Sequence, residues 1–249
     1  MAVSPPQAEE TSDTRREDAL VRWAGTESAP LVVLCGFLFL LGAYLRLKNF
    51  GYPQSFQFDE HHFVENARNY LNHRADWNDH PPLGKLFIAA SIAALGDNAF
   101  AWRLPSLIFG ACTVALAAVV ARRLFNSAWA GLFAAAFASV DGFLVAYSRS
   151  ALLDGALCAM GLLSLLAATL ERKRLLLWGS IAAGVAMSVK FSGVGALVAP
   201  SVALLCSSSK RSAKVSALVS LGIGALAIYV VCYWIGFRLQ GMPLGVQPV

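Results

Sequence analysis

Long apolar runs, separated by short basic clusters, constrain the fold of this 249-residue chain more than any other feature of its sequence. Hydrophobic residues make up 57% of the chain and charged residues only 14%, whereas about a quarter of the residues of a soluble domain are charged. Runs of about 15 to 23 residues are long enough to cross, or nearly cross, a bilayer as helices. The sequence therefore predicts an all-α, multi-pass membrane protein.

Seven apolar runs are candidate transmembrane helices. They lie at residues 29–48, 103–121, 127–147, 151–170, 175–189, 193–207 and 215–236. The shorter run at 83–95 predicts a juxtamembrane or re-entrant helix, although its length leaves a short span open. Residues 1–28 are polar and acidic, which predicts a disordered cytoplasmic tail, and residues 237–249 are expected to form an exoplasmic extension.

The basic clusters predict which side of the membrane each loop occupies. All the clusters lie on the same side of the membrane if the run at 83–95 does not cross the bilayer, and not otherwise. The positive-inside rule makes that side cytoplasmic. The clusters are Arg15, Arg16 and Arg22, then Arg122 and Arg123, then Arg172, Lys173 and Arg174, and finally Lys210, Arg211 and Lys214. Because the net charge of +5 is concentrated beside the spans, it indicates anionic lipid head groups and not nucleic acid as the partner. The long first loop, residues 49–102, is then exoplasmic.

The first loop carries all four histidines of the chain, in the stretch FDEHHFVENARNYLNHRADWNDHPPLGK at residues 58–85. Asp59 is a favourable N-cap for a helix over residues 60–72, and the apolar face of that helix would suit the membrane interface. This arrangement would hold Asp59 and Glu60 at the mouth of the bundle. An ordinary helix cap beside solvated charges is the alternative interpretation of the Asp-Glu pair.

The two prolines of HPPLGK fix the backbone just before the short helix predicted at 83–95. They would hold His80 in an extended conformation, followed by Lys85, and this arrangement suits an anionic ligand. A proline turn with an interfacial lysine is the alternative, since a lysine side chain extends readily to the membrane surface.

Three further segments bring ionisable residues to the same face. AWRLPS contains Arg103, VDGFLVAYSRSALLD contains Asp141, Arg149 and Asp154, and SVKFSG contains Lys190. Ionisable side chains at membrane depth are functional candidates by default, and broken helices at that depth usually line a cavity. A structural ion pair is the alternative for Arg149 and Asp154. We predict an outward-facing site, with a carboxylate pair at its rim and basic groups around it, that suits a lipid-linked phosphate.

These motifs, in this order, resemble those of the protein O-mannosyltransferases, which are glycosyltransferases of the membrane-embedded C-type (GT-C) fold. FDE followed by HPPLGK is the specific part of the resemblance, and WRLPS, SR-x-x-LLD and SVKFSG follow in the same order. The resemblance extends over residues 30–236 and implies a seven-span GT-C-like module.

The resemblance implies an inverting transfer of a sugar, typically mannose, from a polyprenyl- or dolichyl-phosphate donor to a hydroxyl of a protein or glycan. The reaction would occur on the exoplasmic face of the endoplasmic reticulum or of a bacterial inner membrane. Asp59 would be the general base and Glu60 its partner. A carboxylate that accepts the proton of a poorly nucleophilic hydroxyl assists bond formation, and fixed cations stabilise the departing phosphate.

The remaining site residues divide into two groups. The first group would bind the donor phosphate. The resemblance implies that it includes His80 and Lys85 as site elements and Arg149 near the lipid phosphate. Lys190 and Arg103 join this group because of their positions on the same face. The supporting residues would be Asp79, Asp141 and Asp154.

The sequence leaves the cofactor and two other functions open. Residues of the right type for a divalent cation are Asp59, Glu60, His61, His62, Asp76, Asp79 and His80, but no spacing among them is diagnostic, so no metal site is predicted. One alternative function is a catalytically silent subunit, or half of a split glycosyltransferase, that scaffolds a partner chain supplying the C-terminal part. The other is a transporter or lipid flippase, although transporters commonly contain internal repeats and none is evident here.

Overall fold

The computed structural model of the protein describes residues 29–75 and 79–241. Within these residues the chain forms ten α-helices and one 3₁₀ helix. The α-helices are α1 (Ala29–Leu47), α2 (Glu60–Leu71), α3 (Leu83–Leu95), α4 (Ala99–Phe125), α5 (Ala128–Val140), α6 (Gly142–Ser148), α7 (Asp154–Ala168), α8 (Arg172–Val189), α9 (Val198–Cys206) and α10 (Arg211–Leu239), and the 3₁₀ helix is Phe191–Leu197. The predicted tail at residues 1–28, Asp76 and most of the predicted C-terminal extension lie outside the described residues.

Three of the described helices are long and apolar enough to cross a membrane. They are the segments Pro30–Leu47, Ala99–Phe125 and Arg211–Leu239, and α5 with α6 makes a fourth if the bent pair is one span. The helices Leu83–Leu95 and Asp154–Ala168 and the stretch Phe191–Cys206 are apolar but shorter. The membrane class of the fold is therefore confirmed, whereas the count of seven spans stays a prediction.

The helices pack so that all but one of the described carboxylates gather at one end of the bundle. Helix α4 packs against α5 and α7, and α8 packs against α7 and α10. We call the end that carries Glu60, Arg103 and Lys190 the loop end, and the end that carries Arg122 and Arg123 the basic end. Of the eight carboxylates in the described part of the chain, only Glu171 lies at the basic end. The ionisable segments predicted to share one face therefore converge at the loop end.

The apolar run predicted as one helix at 127–147 is broken at Asp141. Helices α5 and α6 meet there at an angle of 61°. The Asp141 carboxylate accepts a hydrogen bond from the Leu144 amide at 2.8 Å, which caps the new helix because its first-turn amides have no other partner. The prediction of an unbroken helix was wrong, since hydropathy does not reveal where a polar residue starts a second helix.

The apolar face of α2 packs inside the protein and not on the membrane interface. Val64, Ala67 and Tyr70 are buried in a cluster with Ile88 of α3 and Trp102 of α4. The predicted interfacial position of this face was therefore wrong. The face is used to attach α2 to the bundle, and it holds the N-terminal end of α2 over the loop end.

A second break presents Lys190 at the loop end. Helix α8 ends at Val189, and Lys190 is extended, with φ −152° and ψ 142°. The Gly193 amide donates a hydrogen bond to the Lys190 carbonyl at 2.8 Å, which turns the chain back on α8. A Cβ at Gly193 would lie 2.2 Å from the backbone oxygen of Ala186, so the turn requires a glycine at this position.

Replacing Gly193 by alanine is expected to destabilise the protein, because the added methyl group would overlap the Ala186 backbone. The cost is about 1–3 kcal/mol, the usual range for overpacking. Gly195→Ala is the matched control, since a Cβ at Gly195 meets nothing within 4 Å. Thermal unfolding of the purified variants in detergent measures the effect, and equal melting temperatures for the two variants would contradict the packing at this turn.

Candidate active site

A buried ion pair between Glu60 and Arg103 forms the base of the loop end. The two side chains are 0% and 2% exposed. The Arg103 Nε atom donates to Glu60 Oε1 at 2.7 Å, and the Nη2 atom donates to Oε2 at 2.8 Å. The Gln57 amide also donates to Oε2, at 2.8 Å, and the Ala151 amide donates to Oε1, at 2.7 Å. Each oxygen of the Glu60 carboxylate therefore accepts two hydrogen bonds.

The guanidinium of Arg103 also holds the backbone of the first loop. It donates to the carbonyl of Pro53 at 3.0 Å and to that of Ser55 at 3.2 Å. The pair thus joins three parts of the chain: the segment before α2, the start of α4 and the linker between α6 and α7. Because both side chains are used by protein partners, the pair fixes the geometry around Asp59.

Asp59 precedes α2 and is exposed. Its backbone has φ −80° and ψ 7°, and its side chain makes no capping hydrogen bond, so the predicted capping role was wrong. These angles lie outside the extended region in which a cap carboxylate reaches the first-turn amides. Within the described residues the Asp59 carboxylate has no hydrogen-bond or ion-pair partner, and it is therefore accessible to a ligand.

A second cluster joins the start of α7 to the end of α8. The Lys190 Nζ atom lies 2.9 Å from Asp154 Oδ1, and the two side chains are 29% and 38% exposed. Lys85 is fully buried, and its Nζ atom donates to the His80 carbonyl at 2.7 Å. The lysine thereby holds the HPPLGK backbone, and the imidazole of His80 stacks on Phe63 with ring centroids 6.0 Å apart.

The imidazole of His80 is held neutral by its surroundings. Burial lowers the pKa of His80, and the charges of Lys190 and Lys85 lower it further, against smaller opposing effects of Asp79 and Asp154. Its Nδ1 atom is buried without a hydrogen-bond partner in the described structure. A neutral ring with one unused nitrogen can donate to, or accept from, a hydroxyl group.

Arg149 lies beside an open cavity of about 520 Å³ at the loop end. Its guanidinium donates to the carbonyls of Leu45 and Arg46 at the end of α1. The cavity is lined mostly by apolar groups, and Lys48 and Tyr52 also contribute to its wall. Lys48 is exposed, so the cavity has two cationic side chains at its edge.

Neither Lys48 nor Arg46 is among the site residues predicted from the sequence. Arg46 is 6% exposed and donates to the carbonyls of Gly42, Ala138 and Ser139. Both residues belong to LRLK at the end of the first apolar run. A basic residue at the end of a span ordinarily extends to the membrane surface. The one signal in the sequence was therefore that Arg46 lies within the apolar run and not after it.

The remaining candidates lie at the edge of the site. Asp141 caps α6, Asp79 is exposed, and the rings of His61 and His62 lie 3.7 Å apart. In the described ranges no three His, Cys, Asp or Glu side chains come together as a metal site would require. Asp76, one of the residues considered for a cation, lies outside these ranges.

In its described part the chain is a helical bundle with several helices long enough to cross a membrane, and all but one of the described carboxylates lie at one end. These features define an integral membrane protein with a candidate site at that end. Two family models described as dolichyl-phosphate-mannose-protein mannosyltransferase match residues 79–234 and residues 36–97. The chain belongs to this family of membrane mannosyltransferases.

Individual relatives agree with the family match. A polyprenol-phosphate-mannose–protein mannosyltransferase of Mycobacterium tuberculosis is 34% identical over 133 residues, which cover 49% of this chain and 26% of the relative. Dolichyl-phosphate-mannose–protein mannosyltransferase 1 of Saccharomyces cerevisiae is 30% identical over an alignment 268 positions long, which covers 91% of this chain and 32% of the relative.

The fold is also similar to that of a solved structure, the protein O-mannosyltransferase complex of Saccharomyces cerevisiae bound to its sugar donor. The TM-score is 0.70 at 25% identity, and the match covers 84% of this chain and 34% of the solved chain. The chain thus spans about a third, or less, of the length of these relatives.

Replacing Glu60 by alanine is expected to destabilise the fold by about 3–5 kcal/mol, because it leaves the Arg103 guanidinium buried without its carboxylate. Glu65→Ala is the matched control, since Glu65 is an exposed glutamate of the same helix. The melting temperatures of the two variants in detergent are the measurement. A Glu60 variant as stable as the Glu65 variant would show that the pair does not hold the loop.

The stability of the protein is expected to fall as the pH is lowered below about 6.5, the ordinary pKa of histidine. The unfolded state binds a proton at His80 more readily than the folded state does, because the pKa of His80 is lowered in the folded state. The free energy of unfolding is therefore unaffected by His80 above that pH and decreases below it. His80→Gln should reduce the decline in melting temperature between pH 7.5 and pH 5. His62→Gln, at an exposed histidine, is the control, and an equal decline in both variants would contradict the role of His80.

Proposed function

We propose that the loop end is the catalytic site of a mannosyl transfer from a polyprenyl- or dolichyl-phosphate donor to a hydroxyl group, on a protein serine or threonine or on a glycan. The family match and the relatives' names support mannose as the sugar and a protein as the acceptor. The positive-inside rule supports an exoplasmic site, because the basic end then faces the cytoplasm. The chain would act in the membrane, either alone or with a partner chain that supplies further acceptor contacts.

One hydrogen bond carries the proposal, the bond from the Ala151 amide to the Glu60 carboxylate at 2.7 Å. Asp59 directly precedes Glu60, and Ala151 lies in the short linker that runs from Arg149 to Asp154. The bond therefore joins the segment of the free Asp59 carboxylate to the linker between the two cationic clusters, which supports a shared site. A transferase that uses a lipid-linked phosphate sugar requires this combination of groups.

Asp59 is the general base in this mechanism. Its carboxylate accepts the proton of the acceptor hydroxyl as that oxygen forms a bond to the anomeric carbon of the sugar. The bond from this carbon to the phosphate oxygen breaks, and the departing lipid phosphate takes the electron pair. Attack opposite the leaving group inverts the anomeric configuration without a covalent sugar–enzyme intermediate. One carboxylate is sufficient because the phosphate leaves as a stable anion and needs no general acid to protonate it.

Arg149 and Lys48 would hold the donor phosphate at the mouth of the 520 Å³ cavity. The phosphate gains a negative charge as it leaves, so fixed cations stabilise the transition state more than the ground state. The mostly apolar wall of the cavity suits the first isoprene units of the donor. Lys190, paired with Asp154 at the other end of the linker, would complete the positive field, and the neutral His80 ring would orient the sugar or the acceptor hydroxyl.

Lys85 and Arg103 would not contact the donor but would hold the protein backbone around the site. Both side chains are buried and donate to carbonyl groups of the protein. We infer that they position His80 and the Asp59 segment, respectively, and that Arg149 and Lys48 contact the phosphate. Glu60 would be the positioning partner of Asp59, since its oxygens are filled by four protein donors.

Replacing Asp59 by asparagine is expected to lower the rate of transfer by a factor of about 10² or more, the usual contribution of a general base. The measurement is the transfer of labelled mannose from a polyprenyl-phosphate donor to an acceptor peptide, by the full chain in proteoliposomes. The fold should be retained, because the Asp59 side chain makes no hydrogen bond in the described structure.

Glu65→Gln is the control, since it removes an exposed charge from the same helix without touching the site. Undiminished transfer by the Asp59 variant would refute the assigned base. Donor binding without any transfer by the unmodified chain would instead support the hypothesis of a non-catalytic subunit.

A further inference from the structure

A second cavity, of about 660 Å³, lies at the basic end of the bundle. Its lining includes Arg122, Arg123, Asn126, Ser127 and Thr169. Arg122 follows Arg103 by 19 residues of the same helix, a distance of roughly 28 Å along the helix axis. The cavity is therefore separate from the proposed catalytic site.

The hairpin between α4 and α5 builds one wall of this cavity. Asn126 reverses the chain in the left-handed conformation, with φ 46°, and its amide donates to the Arg122 carbonyl. The side chain of Ser127 accepts a hydrogen bond from the Ala130 amide at 3.3 Å and begins α5. The turn therefore places two arginines of the last turn of α4 beside the N-terminus of α5, where the helix dipole also favours an anion.

Among the residues that the structure describes, the charges at this end leave the two arginines available to a ligand. No described carboxylate lines the cavity. Glu171, the one described carboxylate at the basic end, lies 3.1 Å from Arg174. The guanidinium groups of Arg122 and Arg123 make no hydrogen bond or ion pair with another described residue. A cavity with two such arginines and polar side chains can hold a phosphate through several charge-assisted hydrogen bonds.

The surroundings of the cavity favour a lipid over a free anion. Helix α4 has 27 residues and is roughly 40 Å long, which exceeds the hydrocarbon core of about 30 Å, so its end reaches the depth of the lipid head groups. Val119, Leu124 and Phe125 are 44%, 52% and 72% exposed beside the arginines. These apolar side chains offer a surface along which acyl chains can pack.

We propose that this cavity binds the phosphate of an anionic glycerophospholipid. Arg122 and Arg123 donate to the phosphate oxygens, and the acyl chains lie along the exposed apolar side chains near the end of α4. Basic pockets between membrane helices on the cytoplasmic side commonly recognise lipid head groups in this way. The site is independent of sugar transfer, and its occupancy can be measured without an assay of activity.

Native mass spectrometry of the full chain, purified with equal amounts of dioleoyl phosphatidylglycerol and dioleoyl phosphatidylcholine, tests the proposal. Wild-type protein should retain phosphatidylglycerol in preference to phosphatidylcholine. The double variant Arg122→Gln and Arg123→Gln should retain about tenfold less, because each arginine contributes a charged hydrogen bond. The matched control is Lys210→Gln with Arg211→Gln, which removes the same charge at the start of α10 and should change retention by no more than about twofold.

Three results would overturn the proposal: no preference for the anionic lipid, an equal loss in the two double variants, or displacement of the lipid by inorganic phosphate, which would indicate a site for a free anion. Melting temperatures in phosphatidylcholine should be the same for all variants. If the glutamine pair does not fold, Arg123→Gln alone carries the same test with the same three criteria.

Discussion

The loop end depends on one interaction, the buried pair of Glu60 and Arg103. Removing two charges from water is costly, and their attraction compensates only when the remaining hydrogen-bonding positions are also filled. Here the Glu60 carboxylate also accepts the amides of Gln57 and Ala151, and the guanidinium also binds the carbonyls of Pro53 and Ser55. Satisfying the pair therefore requires the first loop, the start of α4 and the linker after α6 to meet at one point, and this meeting point defines the site.

Two breaks in otherwise apolar helices give the site its cations. Asp141 starts a new helix at an angle of 61° to the preceding one, which places Arg149 beside the end of α1. Gly193 lets the chain turn back against Ala186, which leaves Lys190 extended and opposite Asp154. A polar backbone at membrane depth is tolerated where it is covered by protein or lines a cavity. Both breaks therefore lie where ionisable side chains meet at the loop end.

Some features could be predicted from the sequence because they depend on local composition. The length of the apolar runs predicts membrane helices, the positions of the basic clusters predict which loops share a side, and the order of FDE, HPPLGK and SRSALLD indicates the family. The roles of neighbouring residues could not be predicted in this way. Asp59 and Glu60 are adjacent and chemically similar, yet one is exposed and the other is 0% exposed, because only Glu60 faces Arg103, which follows it by 43 residues.

The sequence by itself determined the membrane class, the gathering of the basic clusters on one side and the family, since each follows from the hydropathy, the charge and the order of residues along the chain. Tertiary structure alone decided which ionisable groups are used by the protein and which are free to meet a ligand. Burial and pairing depend on side chains that are distant in sequence, such as Glu60 with Arg103 and Asp154 with Lys190. A charged side chain left unpaired inside the bundle would be costly, and this cost favours a fold in which these pairs form.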